Sequence, residues 1–426
     1  MKKALVFILL LFCCPAFALE TEHIKGTILP EVILNRAEDT DYVYISILAR
    51  TGPANESNST AGFSALIASM LLSETKNKSA AEMEEVFYRL NGSMNITTTL
   101  DYTEIRLITV RKSLDRAMRI IGECLCEPRF SPEALEKNRE NAFAGMVREA
   151  DTPFQQTYDR LRFNIYGTSP YRRSVFGSAG AVKKATPKQL YRFFNENFCP
   201  RQLILAVTGN VTAKELKKAV DNSFFRTLPS PERRSLHKYS ETIDKSRRAA
   251  GVQHADSETY YMMGFLAPAY DEEDRAPMTV ISGILGAGKA GRLFRDLRQK
   301  HGWGYYTGCR YPQLLRQSHI YIYVSTAIGT PDEARDIILG LTESLKTEPV
   351  SREELDRAVE YLITQEEIER QDYAALTHKT AEEALFGESF REKAEKLRKV
   401  EPADVMRCAN KYFTNYQESV SVPEEK

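Results

Sequence analysis

The chain has 426 residues, too many for one compact core, so two domains are expected. Its 58 basic and 58 acidic residues balance without a block of like charge, which argues against a nucleic-acid or membrane-surface footprint. A hydrophobic share of 42% beside a charged share of 27% is the composition of an ordinary soluble globular protein.

At the N-terminus, Lys2 and Lys3 precede an apolar run over residues 4–14, and Ala16-Phe17-Ala18 has the small-x-small form of a cleavage site. We read residues 1–18 as a secretory signal peptide, too short in its apolar core to be a stable anchor. A lipoprotein signal would need a small residue before Cys13 or Cys14, where Phe12 and Cys13 stand. The expectation is a periplasmic chain from Leu19 with no membrane anchor. Five cysteines then remain, Cys124, Cys126, Cys199, Cys309 and Cys408, an odd and scattered set that is no disulfide framework.

Residues 42–52, YVYISILARTG, open the paired strands of the first half. Residues 62–72, GFSALIASMLL, follow as a helix with an apolar stripe of Phe63, Leu66, Ile67, Met70 and Leu71. Its other face carries only Ser64, Ala65, Ala68 and Ser69, too small and neutral for a solvated surface. GSMNITTTLDYTEIRLITV from Gly92 is a strand pair with a turn near Leu100–Asp101. EPRFSPEALEKNRENA from Glu127 leads into a long helix, and TPKQLYRFFNENFCPRQLILAV from Thr186 pairs a Pro-started helix with a strand.

The same order then returns. After a Pro- and charge-rich stretch over 228–248 come YYMMGFLAPAY from Tyr260, a strand pair from Tyr305, EPVSREELDRAVEYL from Glu348 and EPADVMRCANKYFTNYQESVSV from Glu401. In the second of these strands His319, Tyr321 and Tyr323 alternate with Ile320, Ile322 and Val324, the pattern of a strand buried on one side. We therefore expect a duplicated α+β fold: two homologous domains, each an antiparallel sheet with helices packed mainly on one face. The boundaries are 19–228 and 249–426, joined by a linker over 229–248.

The succession TGPANESNSTAGFSALIASMLL, SAAEMEEVFYRLNGSMNITTTLDYT, EPRFSPEALEKNRENA and ILAVTGNVT resembles the insulinase/pitrilysin family of zinc peptidases over nearly the whole mature chain. In active members the helix matching 62–72 carries His-x-x-Glu-His, two zinc-binding histidines and a water-activating glutamate. Here those positions are Ala65, Ala68 and Ser69, and the third ligand position falls near Ala144-Gly145, with Glu149 a short slip away. Zinc takes imidazole, thiolate or carboxylate ligands, which these side chains do not supply. The six histidines, His23, His237, His254, His301, His319 and His378, form no pair at ligand spacing. The resemblance implies no cofactor in this chain and a zinc ion in a partner subunit.

GILGAGKAGRLFRDLRQKHGWGYYTG, residues 283–308, resembles the family's glycine-containing segment, the helix after it and an Arg/Tyr pair seven residues apart. Arg298 and Tyr305 keep that spacing, with Tyr306 as a register alternative. In the family this pair stabilises the substrate carbonyl and oxyanion at zinc, in the first domain or in a partner subunit. The resemblance also assigns Asn95 and Thr97 to a substrate-holding edge strand, and Gly286 and Gly288 to a substrate-contacting loop. It implies the non-catalytic chain of a heterodimer, like the zinc-less chain of mitochondrial processing peptidase, acting on extended peptides. The alternative is a pseudo-peptidase with a structural or peptide-binding role, like the related core subunits of respiratory complexes.

Overall fold

The computed structural model describes residues 19–198, 203–227, 241–243, 245–248, 252–254, 258–303, 306–327 and 330–424. The first half runs β1 (Glu20–His23), β2 (Glu31–Arg36), β3 (Tyr42–Ala49), α1 (Phe63–Leu71), α2 (Ala80–Arg89), β4 (Ser93–Thr98) and β5 (Thr103–Val110). It continues through α3 (Leu114–Cys126), α4 (Pro132–Ala150), α5 (Pro153–Ile165), α6 (Ala179–Lys184), α7 (Pro187–Asn197), β6 (Leu203–Gly209) and α8 (Ala213–Asp221). The second half has β7 (Arg247–Arg248), β8 (Val252–His254), β9 (Thr259–Ala267), α9 (Arg275–Gly286), β10 (Thr307–Arg310) and β11 (Ser318–Thr326). Then come α10 (Pro331–Thr347), α11 (Arg352–Glu369), α12 (Tyr373–Phe386), α13 (Phe390–Arg398), α14 (Pro402–Tyr412) and β12 (Gln417–Pro423).

The duplication is visible in the sheets. Five strands of the first lie in the order β2-β6-β3-β5-β4, and the second has β12 between β8 and β9, followed by β11 and β10. Register agrees as well: Ala49 pairs with Thr103 where Ala267 pairs with Ser318. Each sheet is antiparallel except where its last strand enters, β6 parallel to β2 and β12 parallel to β7 and β8, after the helical crossover that parallel pairing requires. Matching caps start matching helices. Ser131 Oγ accepts from Ala134 N at 3.1 Å and Ser351 Oγ from Glu354 N at 3.2 Å. Phe198 and Phe413 end α7 and α14, both fully buried.

One expectation is corrected. β11 is buried on both faces, His319 and Tyr321 included, because a helix of the other half covers its polar side. α5 lies on β9 and β12, while α12 lies on β6 and β3, so the halves exchange one helix each. Leu161 and Ile165 of α5 pack with Met262 and Tyr321, and Ala381 and Leu385 of α12 pack with Ile33, Leu48 and Ile204. Gly264 makes room, since a Cβ there would sit 2.7 Å from Ile165 Cδ1. Most helices remain on one face of their own sheet, around two separate apolar cores. The linker reading over 229–248 falls largely outside the described residues.

Candidate functional site

α1 starts at Gly62, whose φ of +97° is open to glycine at little cost. Two free amides of its first turn, Gly62 N and Ser64 N, donate to the buried Glu56 carboxylate at 2.7 and 2.8 Å. Burial pushes the Glu56 carboxyl up from its usual range, against the pull of those hydrogen bonds. On the face singled out by sequence, Ala68 is buried and Ala65 and Ser69 are half-buried. Ser69 Oγ donates to Leu66 O at 2.8 Å, so its hydroxyl is spent on its own helix.

α4 packs across α1 and brings Gly145 toward it. A Cβ on Gly145 would stand 2.7 Å from Cε1 and Cζ of Phe176. Glu149, one turn further on, accepts a short hydrogen bond from Ser174 Oγ. Two methyls, a hydroxyl turned to its own backbone and a glycine under a phenyl ring make no zinc-binding set. The residues present do not fit the metal, and among the described residues no group of three or more His, Cys, Asp or Glu is placed to hold one.

In the second half Arg298 is exposed near the end of the helical segment Phe294–Gln299, which is wound as a π-helix, with its guanidinium 5.7 Å from the Phe294 ring centroid. The two other arginines nearby, Arg292 and Arg295, pair with Glu354, Arg292 bidentately at 2.9 and 2.7 Å. Tyr305 and Gly304 lie outside the described residues. Tyr306, the register alternative, has an exposed side chain, while its N–H donates to Ser325 Oγ at 3.2 Å and its carbonyl accepts from Ser325 N at 2.8 Å.

The glycines before this helix differ in what requires them. A Cβ on Gly286 would meet Cys309 N at 2.7 Å, so its small size sets how closely α9 approaches β10. Gly288 has φ +50° and lies beneath Tyr361. β4 is an edge strand, with Asn95 and Thr97 exposed on the face they share with their partners Arg106 and Glu104.

Between the halves lies a cleft of about 460 Å³, walled by Tyr102, Glu149, Arg162, Arg370, Lys379 and others. Beside it, and unforeseen from sequence, are two buried polar clusters. His378 Nδ1 lies 2.9 Å from Glu104 Oε1, and Glu104 also accepts from Ser46 at 2.6 Å and Arg106 at 2.7 Å. Burial favours the neutral Glu104 carboxyl, but its hydrogen bonds to His378, Arg106 and Ser46 outweigh that and hold it at about 2. His319, fully buried, has Tyr158 Oη 3.0 Å from Nε2 and Tyr166 Oη 2.8 Å from Nδ1. Burial, and then the charge of Arg162, push its imidazole down to about 3.

Two family models cover most of the chain. Residues 31–178 match the insulinase (peptidase family M16) model and residues 184–362 the peptidase M16 inactive domain. The chain belongs to the insulinase family. Among its relatives in that family are an uncharacterized zinc protease of Rickettsia bellii, 21% identical over 88% of this chain and 90% of that one, and the zinc protease PqqE of Helicobacter pylori, 23% identical over 75% and 72%. Two crystal structures share the M16 fold over 96% of the chain. A protease from Helicobacter pylori superposes with a TM-score of 0.85 at 20% identity, covering all of that chain. A peptidase M16 inactive domain from Pseudomonas fluorescens gives 0.84 at 17%, covering 98%.

Proposed function

We propose that this insulinase-family chain is the non-catalytic subunit of a periplasmic zinc endopeptidase, working beside a zinc-bearing paralogue on unfolded peptides. The observation that carries the reading is the chemistry of α1 and α4: Ala65, Ala68, Ser69 and Gly145 offer no donor where active members hold metal and base. Support for a retained role comes from Arg298, which stands exposed seven residues before Tyr305. In this reading the guanidinium and phenol reach the partner's site and donate to the substrate carbonyl oxygen as charge develops on it. The edge strand β4, with Asn95 and Thr97, and the Gly286–Gly288 segment add surface for an extended peptide, held by main-chain hydrogen bonds.

The experiment is reconstitution. The chain alone should cleave no peptide, and periplasmic pull-down should recover a paralogue carrying His-x-x-Glu-His. In that complex Arg298→Ala or Tyr305→Phe should lower turnover about 100-fold, as loss of an oxyanion donor does. Full activity in both variants rejects the arm. A stable assembly that cleaves nothing instead supports the structural pseudo-peptidase.

A further inference from the structure

The loop over residues 173–178 is fastened to both helices of the altered site. Arg173 Nη1 donates to Asn58 Oδ1 at 2.6 Å, and Nη2 to the carbonyl of Glu56 at 3.4 Å, the residue that caps α1. Ser174 Oγ donates to Glu149 in the last turn of α4. Between these anchors, the backbones of 61–62 and 176–177 touch without room for a side chain on either. A Cβ on Gly62 would fall 2.3 Å from the Phe176 carbonyl oxygen, and one on Gly177, at φ +76°, would fall 2.1 Å from Gly62 N. The loop's seat is thus fixed by two left-handed glycines, and from it the Phe176 ring lies on Gly145, in the middle of α4.

A glycine inside a long helix is disfavoured over alanine, so its presence calls for a packing reason. The ring is that reason. We infer that Phe176 seals the vacated metal site, bracing α1 against α4 by packing where active relatives share a metal ion between these helices, so that returning the ligand side chains alone does not return metal binding. The inference rests on the reading of α1 as a lapsed zinc helix, but it concerns this chain by itself. A carboxylate at position 145 cannot enter while the ring is seated, because its first carbon would overlap two ring carbons. The backbone that carries the ring is itself held, by the Phe176 carbonyl against Gly62 and by the Arg173 contacts to Asn58 and Glu56.

Two sets of variants test this on the full chain, with no partner and no peptide. In the first, Ala65→His, Ala68→Glu, Ser69→His and Gly145→Glu are combined, with Phe176 kept or changed to Ala, and zinc alone is titrated by calorimetry and counted by mass spectrometry. Zinc should bind at one equivalent with Phe176→Ala, and roughly 100-fold more weakly with Phe176 in place. Equal one-equivalent binding in both overturns the inference.

The second set asks less of the fold. Gly145→Ala should lower the thermal midpoint in the native background and leave it unchanged or raised when Phe176→Ala is present. The same loss in both backgrounds overturns the inference, whatever the first set gives. Failure of the heterodimer reading would appear only in the reconstituted complex, so the two outcomes are distinguishable.

Discussion

His378 Nδ1 lies 2.9 Å from the Glu104 carboxylate, and at the matching place in the other half Tyr158 Oη lies 3.0 Å from His319 Nε2. Glu104 follows Thr103 and His319 follows Ser318, the two residues that pair with Ala49 and Ala267 in the same register. Tyr158 and His378 each stand five residues beyond the first residue of α5 and α12. One duplicated contact has diverged into one that a carboxylate makes and one that a phenol makes, and acid should act on them differently.

His319 is neutral in the fold, its pKa held at about 3, whereas an unfolded chain takes up its proton near pH 6.5. The unfolded state therefore binds more protons between about pH 6.5 and 3, and stability falls as pH is lowered through that window. Urea unfolding at pH 7, 5 and 4 should show the decline, with a His319 share of order 1 kcal/mol per pH unit. His319→Asn should flatten that share of the slope.

Glu104 is the opposite case. Its folded pKa of about 2 lies below its unfolded value, so its stabilisation is full above about pH 4.5 and is lost as pH falls toward 2. Glu104→Ala at pH 7 would leave Ser46, Arg106 and His378 without this carboxylate and should cost about 3 kcal/mol by calorimetry. Removing the exposed pair Glu85–Arg89 should cost less than about 1 kcal/mol.

Glu241 joins three segments. Its carboxylate accepts from Gly167 N, Thr168 N and Ser169 N at 3.2, 3.2 and 2.6 Å, and its own N–H donates to Gln317 Oε1 at 2.7 Å. Three successive amides on one carboxylate form an anion nest filled from within the chain. Glu241→Ala should lower stability by about 2 kcal/mol and speed tryptic cleavage near Arg247 and Arg248.

Two glycines should respond with opposite sign. Gly286→Ala places a methyl 2.7 Å from Cys309 N and should destabilise by about 2 kcal/mol. Gly340 is exposed inside α10 with nothing within 4 Å of an added Cβ, so Gly340→Ala should stabilise by about 1 kcal/mol. Denaturant midpoints of the two variants check both.

The repeat, the Leu100–Asp101 turn and the lapsed face of α1 were legible because each is local: a spacing, a cap, a missing donor. Ser131 and Ser351 announce their helices from within four residues. The exchange of α5 and α12 was not, since these helices meet the opposite sheets partly through polar groups and carry no clean apolar stripe. Thr157 Oγ1 donates to Ser421 Oγ at 2.8 Å, and Thr377 Oγ1 to Thr208 Oγ1 at 2.7 Å. Such residues read as solvent-facing until the partner sheet is known. Phe176 was hidden in the same way, its one local sign being a glycine in mid-helix at position 145.

The mutual loan of helices also bears on biogenesis. Emerging from the ribosome or translocase, the leading half has β3 and β6 made but bare on one flank, and remains so until Phe386 has followed. Over that interval of some 180 residues it is a customer for holding chaperones, and a fragment ending at the linker would stay one.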